Sequence, residues 1–360
     1  MTRGVHRRRL PFTRDPGLAP HASQLRAMKL GFPIPNCREG RDILPGNVSP
    51  QALVDLAREC ESQGFDSGWA NDYITTPAST ARGFDQPPSW YESLLSLCAI
   101  AMKTERIKLG VAVIVMPFRE PVVLAKQAVT LDRFSNGRLL LGIGLGDSRE
   151  EFVSVKPRES KAHRGRMLDE GLEAVSRLLS EPESSYEGEN YAHEGVIFLP
   201  RPVQDPLPVY ISGHSRTTPQ RIARHAHGWL VSYPSLDSFR ADWLVVEEAM
   251  QARGRSMSEL DVTTTWGMRL DRTREQALSN YKKSVQEKLK TSGPQERADA
   301  WYTENNLIGT PEDVAEFLLG FRDAGATHGV PLHIAADTLP ELRDQLQLFA
   351  EEVMPLVRAG

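Results

Sequence analysis

The chain has 360 residues, 40% of them hydrophobic and 25% charged, an ordinary globular composition with material for a large core. Its net charge of −4 argues against nucleic acid as the main partner, and its longest apolar run, Leu109–Phe118, is far short of the ~20 residues that span a bilayer. The 27 glycines and 25 prolines are spread between periodic segments, which excludes collagen-like and disordered chains.

Residues 1–27 hold six arginines and one acid, Asp15, with no apolar stretch of signal-peptide length. They read as a disordered basic extension that a mis-assigned start would add, with an Arg-rich transit peptide as the competing reading. This +5 segment leaves −9 on residues 28–360, so the whole-chain charge describes neither part well.

From Met28 onward, short apolar runs alternate with helical periodicity, the pattern of βα units around a parallel sheet. Lys29–Pro33 reads as the first strand. Ser49 and Pro50 then open a helix with Leu53, Leu56, Ala57 and Cys60 on one face, and Gly64 ends it. Phe65–Ala70 is the second strand, and the Pro-rich stretch Thr75–Ser89 is a long loop of the kind that carries function. Trp90–Lys103 reads as a helix and Ile107–Val115 as the third strand, its Val/Ile content fitting burial on both faces. Glu120–Phe134 is helical, Ser135-Asn136-Gly137 turns the chain, and Arg138–Leu145 is the fourth strand. A helix over Arg164–Leu179 and a small excursion over Ser185–Leu199 follow. Leu207–Ser212, Trp229–Ser232, Asp261–Met268 and Gly329–Ile334 complete the strands. Between and after them lie helices at Pro219–Ala226, Asp237–Arg253, Pro311–Gly325 and Leu339–Val357. Eight strands alternating with helices, and no Gly/Ser-rich linker, predict one (β/α)8 TIM barrel over 28–360 with an insertion after strand 4.

Cys37, Cys60 and Cys98 are scattered and odd in number. They suit the reducing cytoplasm and neither a disulfide framework nor a metal cluster. His225 and His227 lack the spacing that puts two ligands on one helix face. No G-x-S-x-G, H-E-x-x-H or Walker A motif occurs, so the inventory points to a cofactor that brings its own reactivity.

Gly142-Ile143-Gly144-Leu145-Gly146-Asp147 follows the fourth strand and lacks the third glycine of a dinucleotide fingerprint. Glycines there let something approach the backbone, and a flat cofactor ring is the favoured occupant. Ser212-Gly213-His214-Ser215-Arg216 leads into a helix and reads either as a phosphate-binding loop or as a simple cap with turn residues. Asn71-Asp72-Tyr73 ends the second strand, where a barrel places functional groups; an Asx-type turn is the alternative. His163-Arg164 sits at a helix start, where a solvated cap is the plain reading, and Trp266 and Met268 are either core or substrate wall.

The block Thr104–Val111, Val129–Arg138 and on to Gly146 resembles the hallmark of the bacterial luciferase-like monooxygenase superfamily. So do Gly64–Ser67, Pro208–Gly213, Arg224–Trp229 and Ile308–Val314. The resemblance runs in order over nearly all of 28–357. It implies a TIM barrel with FMN or the deazaflavin F420 at the C-terminal face, acting on a small organic substrate. By position it implies a non-prolyl cis peptide at Ala112–Val113 behind the ring, and Gly142 and Gly144 as pocket wall. It further implies Phe32 and Asn71 as cofactor contacts and Ser212, Gly213, His214, Ser215 and Arg216 as the phosphate loop. The activity implied is either oxygenation with reduced FMN and O2, in a dry pocket, or hydride exchange with F420. Trp90-Tyr91-Glu92 and Glu150-Glu151-Phe152 lean towards the deazaflavin users. Many of those have Asp-His where this chain has Asp72-Tyr73, and Glu-Arg where it has His163-Arg164. Asp72, His163 and Arg164 are accordingly the acid–base candidates. A homodimer and a separate flavin or F420 reductase are compatible with the resemblance. A non-catalytic flavin-binding protein and a phosphate-binding barrel isomerase or aldolase are the other readings. The isomerase or aldolase needs a lysine or carboxylate pair at strand ends, and none stands out.

Overall fold

Apolar side chains at Leu30 and Phe32 put one face of Lys29–Pro33 (β1) against helices, while Gly31 faces inward against Ser67 and Val330. The computed structural model describes residues 27–213, 215–288 and 297–360. Most of the expected basic extension, residues 1–26, and the phosphate-loop candidate His214 lie outside the described residues. Seven further parallel strands follow: Ser67–Ala70 (β2), Lys108–Val111 (β3), Leu139–Gly144 (β4), Val209–Ser212 (β5), Gly228–Ser232 (β6), Asp261–Leu270 (β7) and His328–Ile334 (β8). They pair in sequence order, and β8 returns to β1 through Lys29↔His328 and Leu30↔Gly329, closing the (β/α)8 barrel.

The helices begin where the caps predict. Ser49 accepts from the Ala52 N–H to open Pro50–Ser62 (α1), whose buried residues are Leu53, Leu56, Ala57 and Cys60. Ser93–Ala101 (α2) starts three residues later than the periodicity suggests, because Glu92 supplies the N-cap acceptor, to Leu95 N. Pro121–Phe134 (α3) ends on Asn136 and Gly137, both at positive φ. Arg149–Val155 (α4), which the sequence pattern does not reveal, precedes Arg164–Ser180 (α5). Thr218–His225 (α6), Leu236–Gln251 (α7), Arg274–Lys288 (α8) and Asp299–Glu304 (α9) lead to Pro311–Asp323 (α10), opened by a Thr310/Asp313 capping box. Leu339–Leu348 (α11) runs on into the C-terminal turns. Among the described residues no helix is long and apolar enough to cross a membrane.

The insertion after β4 is an antiparallel hairpin, Glu183–Glu187 with Ala192–Ile197. Two strand readings need correction. The expected continuous third strand is interrupted after Val111, and Ile114–Val115 resumes pairing with β4 at Ile143 and Gly144. The seventh runs to Leu270 because Leu307–Gly309 pairs alongside Met268–Leu270, beyond the last β6 partner at Thr265.

Apolar side chains divide into two layers. One lies between strands and helices and includes Trp266 and Met268, which are therefore core and not substrate wall. The other fills the barrel with Trp69, Leu140, Tyr210, Leu230, Val330 and Leu332. At the floor, Asp261 accepts from Lys29 Nζ and the Tyr210 hydroxyl, each at 2.9 Å, and from the Thr327 hydroxyl. Burial alone would raise its pKa, but His328, Lys29 and these hydrogen bonds hold it at about 2. Cys37 and Cys60 are buried, and burial pushes the Cys37 thiol up to about 12.

Candidate active site at the C-terminal face of the barrel

The segment after β1 brings a buried cation to the barrel mouth. Arg38, 1% exposed, donates through Nη2 to Asn71 Oδ1 at 2.5 Å and lies 3.2 Å from His333 Nε2; its Nε faces Asp42 at 3.5 Å. Burial and the guanidinium push the pKa of His333 down to about 4. The neutral ring accepts from Arg38 at Nε2 and turns Nδ1 towards Asp42 at 3.4 Å. Tyr233, at a φ of 52°, stacks on His333 with ring centroids 5.2 Å apart. Asn71 passes the linkage on, donating to the Ala112 carbonyl at 2.9 Å.

A second set joins the ends of β2 and β4. Tyr73 accepts from Arg41 Nη1 at 2.5 Å and donates to the Asp147 carboxylate, whose oxygens lie 3.1 and 3.2 Å away. The Arg41 guanidinium also lies over the rings of Tyr73 and Trp90, 4.7 and 5.5 Å from their centroids. Burial raises the Tyr73 pKa, opposed by Arg41 and reinforced by Asp147, so the phenol stays protonated at neutral pH. The Asp147 side chain is 71% exposed and faces solvent at the mouth.

Between these sets lies an apolar platform. The Ala112–Val113 peptide bond is cis, as the resemblance implies. Both side chains are half-buried and rest on the barrel-filling layer of Trp69, Leu140 and Leu230. The two glycines of β4 meet the chain itself closely. A Cβ on Gly142 would stand 1.9 Å from the Val111 carbonyl oxygen, and one on Gly144 would stand 2.6 Å from Val113 Cγ2. What closes on them is the 111–113 segment itself.

Across the mouth, Gly213 at a φ of 141°, Ser215, Arg216 and Thr218 line a cavity of about 260 Å³ that extends to Trp229, Val231 and Asp242. Ser212 at the end of β5 is half-buried, and Ser215 bonds Thr217 and Thr218 at 3.0 and 2.9 Å. Arg216 is exposed and makes no ion pair among the described residues. Arg221 ties this loop to the start of α5, donating to Ser215 Oγ at 3.3 Å and to the Gly165 carbonyl at 3.1 Å.

Three of the sequence candidates lie elsewhere. Phe32 is fully buried on the helix side of β1, edge-on to Phe65, because alternation turns it away from the barrel interior. Asp72 is buried, and its carboxylate accepts from Ser93 Oγ at 2.9 Å, Val115 N–H at 3.0 Å and Arg119 Nη2 at 2.5 Å. Those partners tie the end of β2 to α2 and to the segment after β3. His163 is exposed and caps α5, its Nδ1 accepting from the Arg166 N–H at 3.1 Å, which is the plain cap reading. Arg164 lies over the Phe152 ring, 5.6 Å from its centroid. Sequence reasoning passed over Arg38, Arg41, Asp147 and His333 as reactive groups, although Tyr73 and Asp147 stood inside the quoted motifs.

The family model of luciferase-like monooxygenases matches residues 28–328. An F420-dependent glucose-6-phosphate dehydrogenase of Kineococcus radiotolerans is 29% identical over 332 residues, covering 86% of this chain and 94% of that protein. The fold is shared with a monooxygenase from Streptomyces bottropensis at a TM-score of 0.74 and 22% identity, over 91% of this chain and 99% of that one. It is shared also with the F420-dependent tetrahydromethanopterin reductase of Methanopyrus kandleri at 0.71 and 19%, over 92% and 99%. The chain belongs to the luciferase-like monooxygenase family.

Proposed function

We propose that this protein is an F420-dependent oxidoreductase that moves a hydride to or from a small hydroxy or carbonyl substrate at the barrel mouth. The observation that carries the reading is the Tyr73 hydroxyl held between Arg41 and the exposed Asp147 carboxylate, beside the half-buried Ala112–Val113 platform. That is equipment for moving one proton, whereas oxygen chemistry asks for a dry pocket. The names of curated relatives agree.

The residues present fit such a cofactor. Ser212, Gly213, Ser215 and Arg216, which is unpaired among the described residues, offer hydroxyls and a guanidinium to a phosphate around a ready cavity, and Ala112 and Val113 offer a flat apolar seat. When bound, F420 supplies a deazaflavin carbon that accepts or returns a hydride. The chain supplies the rest. Asp147 takes the proton from a substrate hydroxyl onto a carboxylate oxygen and returns it in the reverse direction. Tyr73 fixes that carboxylate by donating to it, and Arg41 fixes Tyr73.

The test is titration of the purified protein with F420 and with FMN, read by fluorescence, then bleaching of F420 by a set of alcohols that includes glucose 6-phosphate. F420 is expected to bind and to be reduced by at least one of them. Binding of FMN alone, or of neither, overturns the proposal.

A further inference from the structure

Arg164 has no hydrogen bond and no ion pair among the described residues, although its guanidinium is half-buried. It rests on the Phe152 ring, and a face-on ring engages the charge without satisfying any of the five N–H donors. Burial and the neighbouring Arg149 both act against its charge, and Asp147 supports it. The nearby carboxylates are occupied elsewhere. Asp147 accepts from Tyr73, Glu150 from Ser79, and Glu151 from the N–H groups of Ile74 and Thr75. Arg149 itself spends one donor on the Ser160 carbonyl at 3.4 Å. A second arginine thus stands beside a guanidinium that rests on a ring and has all its donors unspent among the described residues, near the exposed Asp147 carboxylate.

We infer that Arg164, backed by Arg149, receives an acidic oxyanion, carboxylate or phosphate, carried by the substrate. The inference rests on the reading of the mouth as an oxidoreductase site, and it assigns the substrate class as an acidic hydroxy or carbonyl compound. It gives Arg164 an anchoring role in place of the acid–base role expected from sequence. Arg221 bridges the start of α5 and the Ser212–Arg216 loop, so one enzyme would hold two neighbouring anions, one from the cofactor and one from the substrate. A guanidinium fork matches both oxyanions bidentately, and lysine supplies charge without that match.

The test uses protein saturated with F420, so that the cofactor fills its own anion site, and follows inorganic phosphate and acetate by calorimetry. Wild type and Arg216→Met are expected to bind phosphate alike, and Arg164→Met to bind it about ten- to hundredfold more weakly. Arg164→Lys falls between. Equal phosphate binding by wild type and Arg164→Met, or no binding of either anion by wild type, overturns the inference. The other source of an acidic group is the glutamate tail of F420, and comparison with the tail-less, phosphate-less deazaflavin separates it. Arg164→Met should leave the ratio of the two cofactor affinities unchanged, and a loss confined to F420 overturns the substrate assignment. If F420 does not bind at all, the proposed function fails by itself, and titration of the cofactor-free Arg216→Met chain still reads Arg164.

Discussion

The Tyr73 hydroxyl donates to both oxygens of Asp147 while accepting from Arg41, so one phenol orients a carboxylate that solvent and substrate can reach. Asp147→Asn should lower kcat for alcohol oxidation by about 10²- to 10⁴-fold with F420 affinity unchanged. Tyr73→Phe removes only the orienting bond. It should cost roughly tenfold in kcat and move the acidic limb of the pH–rate profile, while the ring keeps its place against Trp90 and Arg41. A Tyr73→Phe enzyme with an unchanged pH profile would remove the phenol from the mechanism.

The two glycines of β4 should differ sharply in their tolerance of a methyl group. Gly142→Ala drives a Cβ into the Val111 carbonyl, which is backbone and cannot step aside, so a loss of about 3 kcal/mol or more is expected. Gly144→Ala meets the side chain of Val113, and Val113→Ala in the same chain should recover most of the smaller loss. Urea midpoints of the two single variants and the Gly144→Ala/Val113→Ala double variant decide this.

Asp72→Asn should act on stability and not on chemistry. The substitution leaves the buried end of Arg119 with only Glu92 as a charged partner, 3.1 Å away. Breaking one side of a buried pair costs about 3–5 kcal/mol. The variant should unfold earlier in urea yet keep near-normal kcat at low temperature. Loss of kcat with unchanged stability would restore Asp72 as a catalytic group.

Acidification should weaken the fold before the carboxylates titrate. Burial holds the pKa of His328 at about 4, with Asp261 opposing, and burial together with Arg38 holds that of His333 at about 4. Both are therefore neutral in the folded state where the unfolded chain, near 6.5, takes up protons. Stability is fully present above about pH 6.5 and is lost as pH falls towards about 4. The fully buried His328 contributes on the order of 3 kcal/mol to that slope. Below it, protonation of Asp261, held at about 2, removes a further part between about pH 4 and 2. Urea unfolding at pH 7 and pH 5 measures the first window, and equal midpoints would contradict it.

The elements were legible where local chemistry decides them. Ser49, Thr310 and the Asn136-Gly137 turn fixed helix ends within a residue or two, because a cap is a local bond. The barrel followed from counting apolar runs. The site was less legible because its bonds are long-range. Arg38 and His333 are 295 positions apart, and nothing in either neighbourhood marks the other. Asn71 and Asp72 show the second difficulty. They are adjacent in one motif, yet Asn71 links the mouth loops while Asp72 turns towards Arg119, and only the local direction of the backbone separates their roles. The glycines of β4 were noticed for a sound reason, close approach, but the sequence could not say whether ligand or chain did the approaching.

The closure of β1 onto β8 has a consequence for how the protein must be made. Asp261 binds Lys29 from the first strand, Tyr210 from the fifth and Thr327 from the threshold of the last, and the closing register joins Lys29 to His328. A nascent chain therefore carries an open, apolar edge at β1 until almost its whole length has left the ribosome. Loop-closure entropy delays pairing over such a separation, and an unpaired edge invites association with other chains. Synthesis rate and chaperone access, more than final stability, should limit the yield of active protein, and fragments ending before His328 should aggregate.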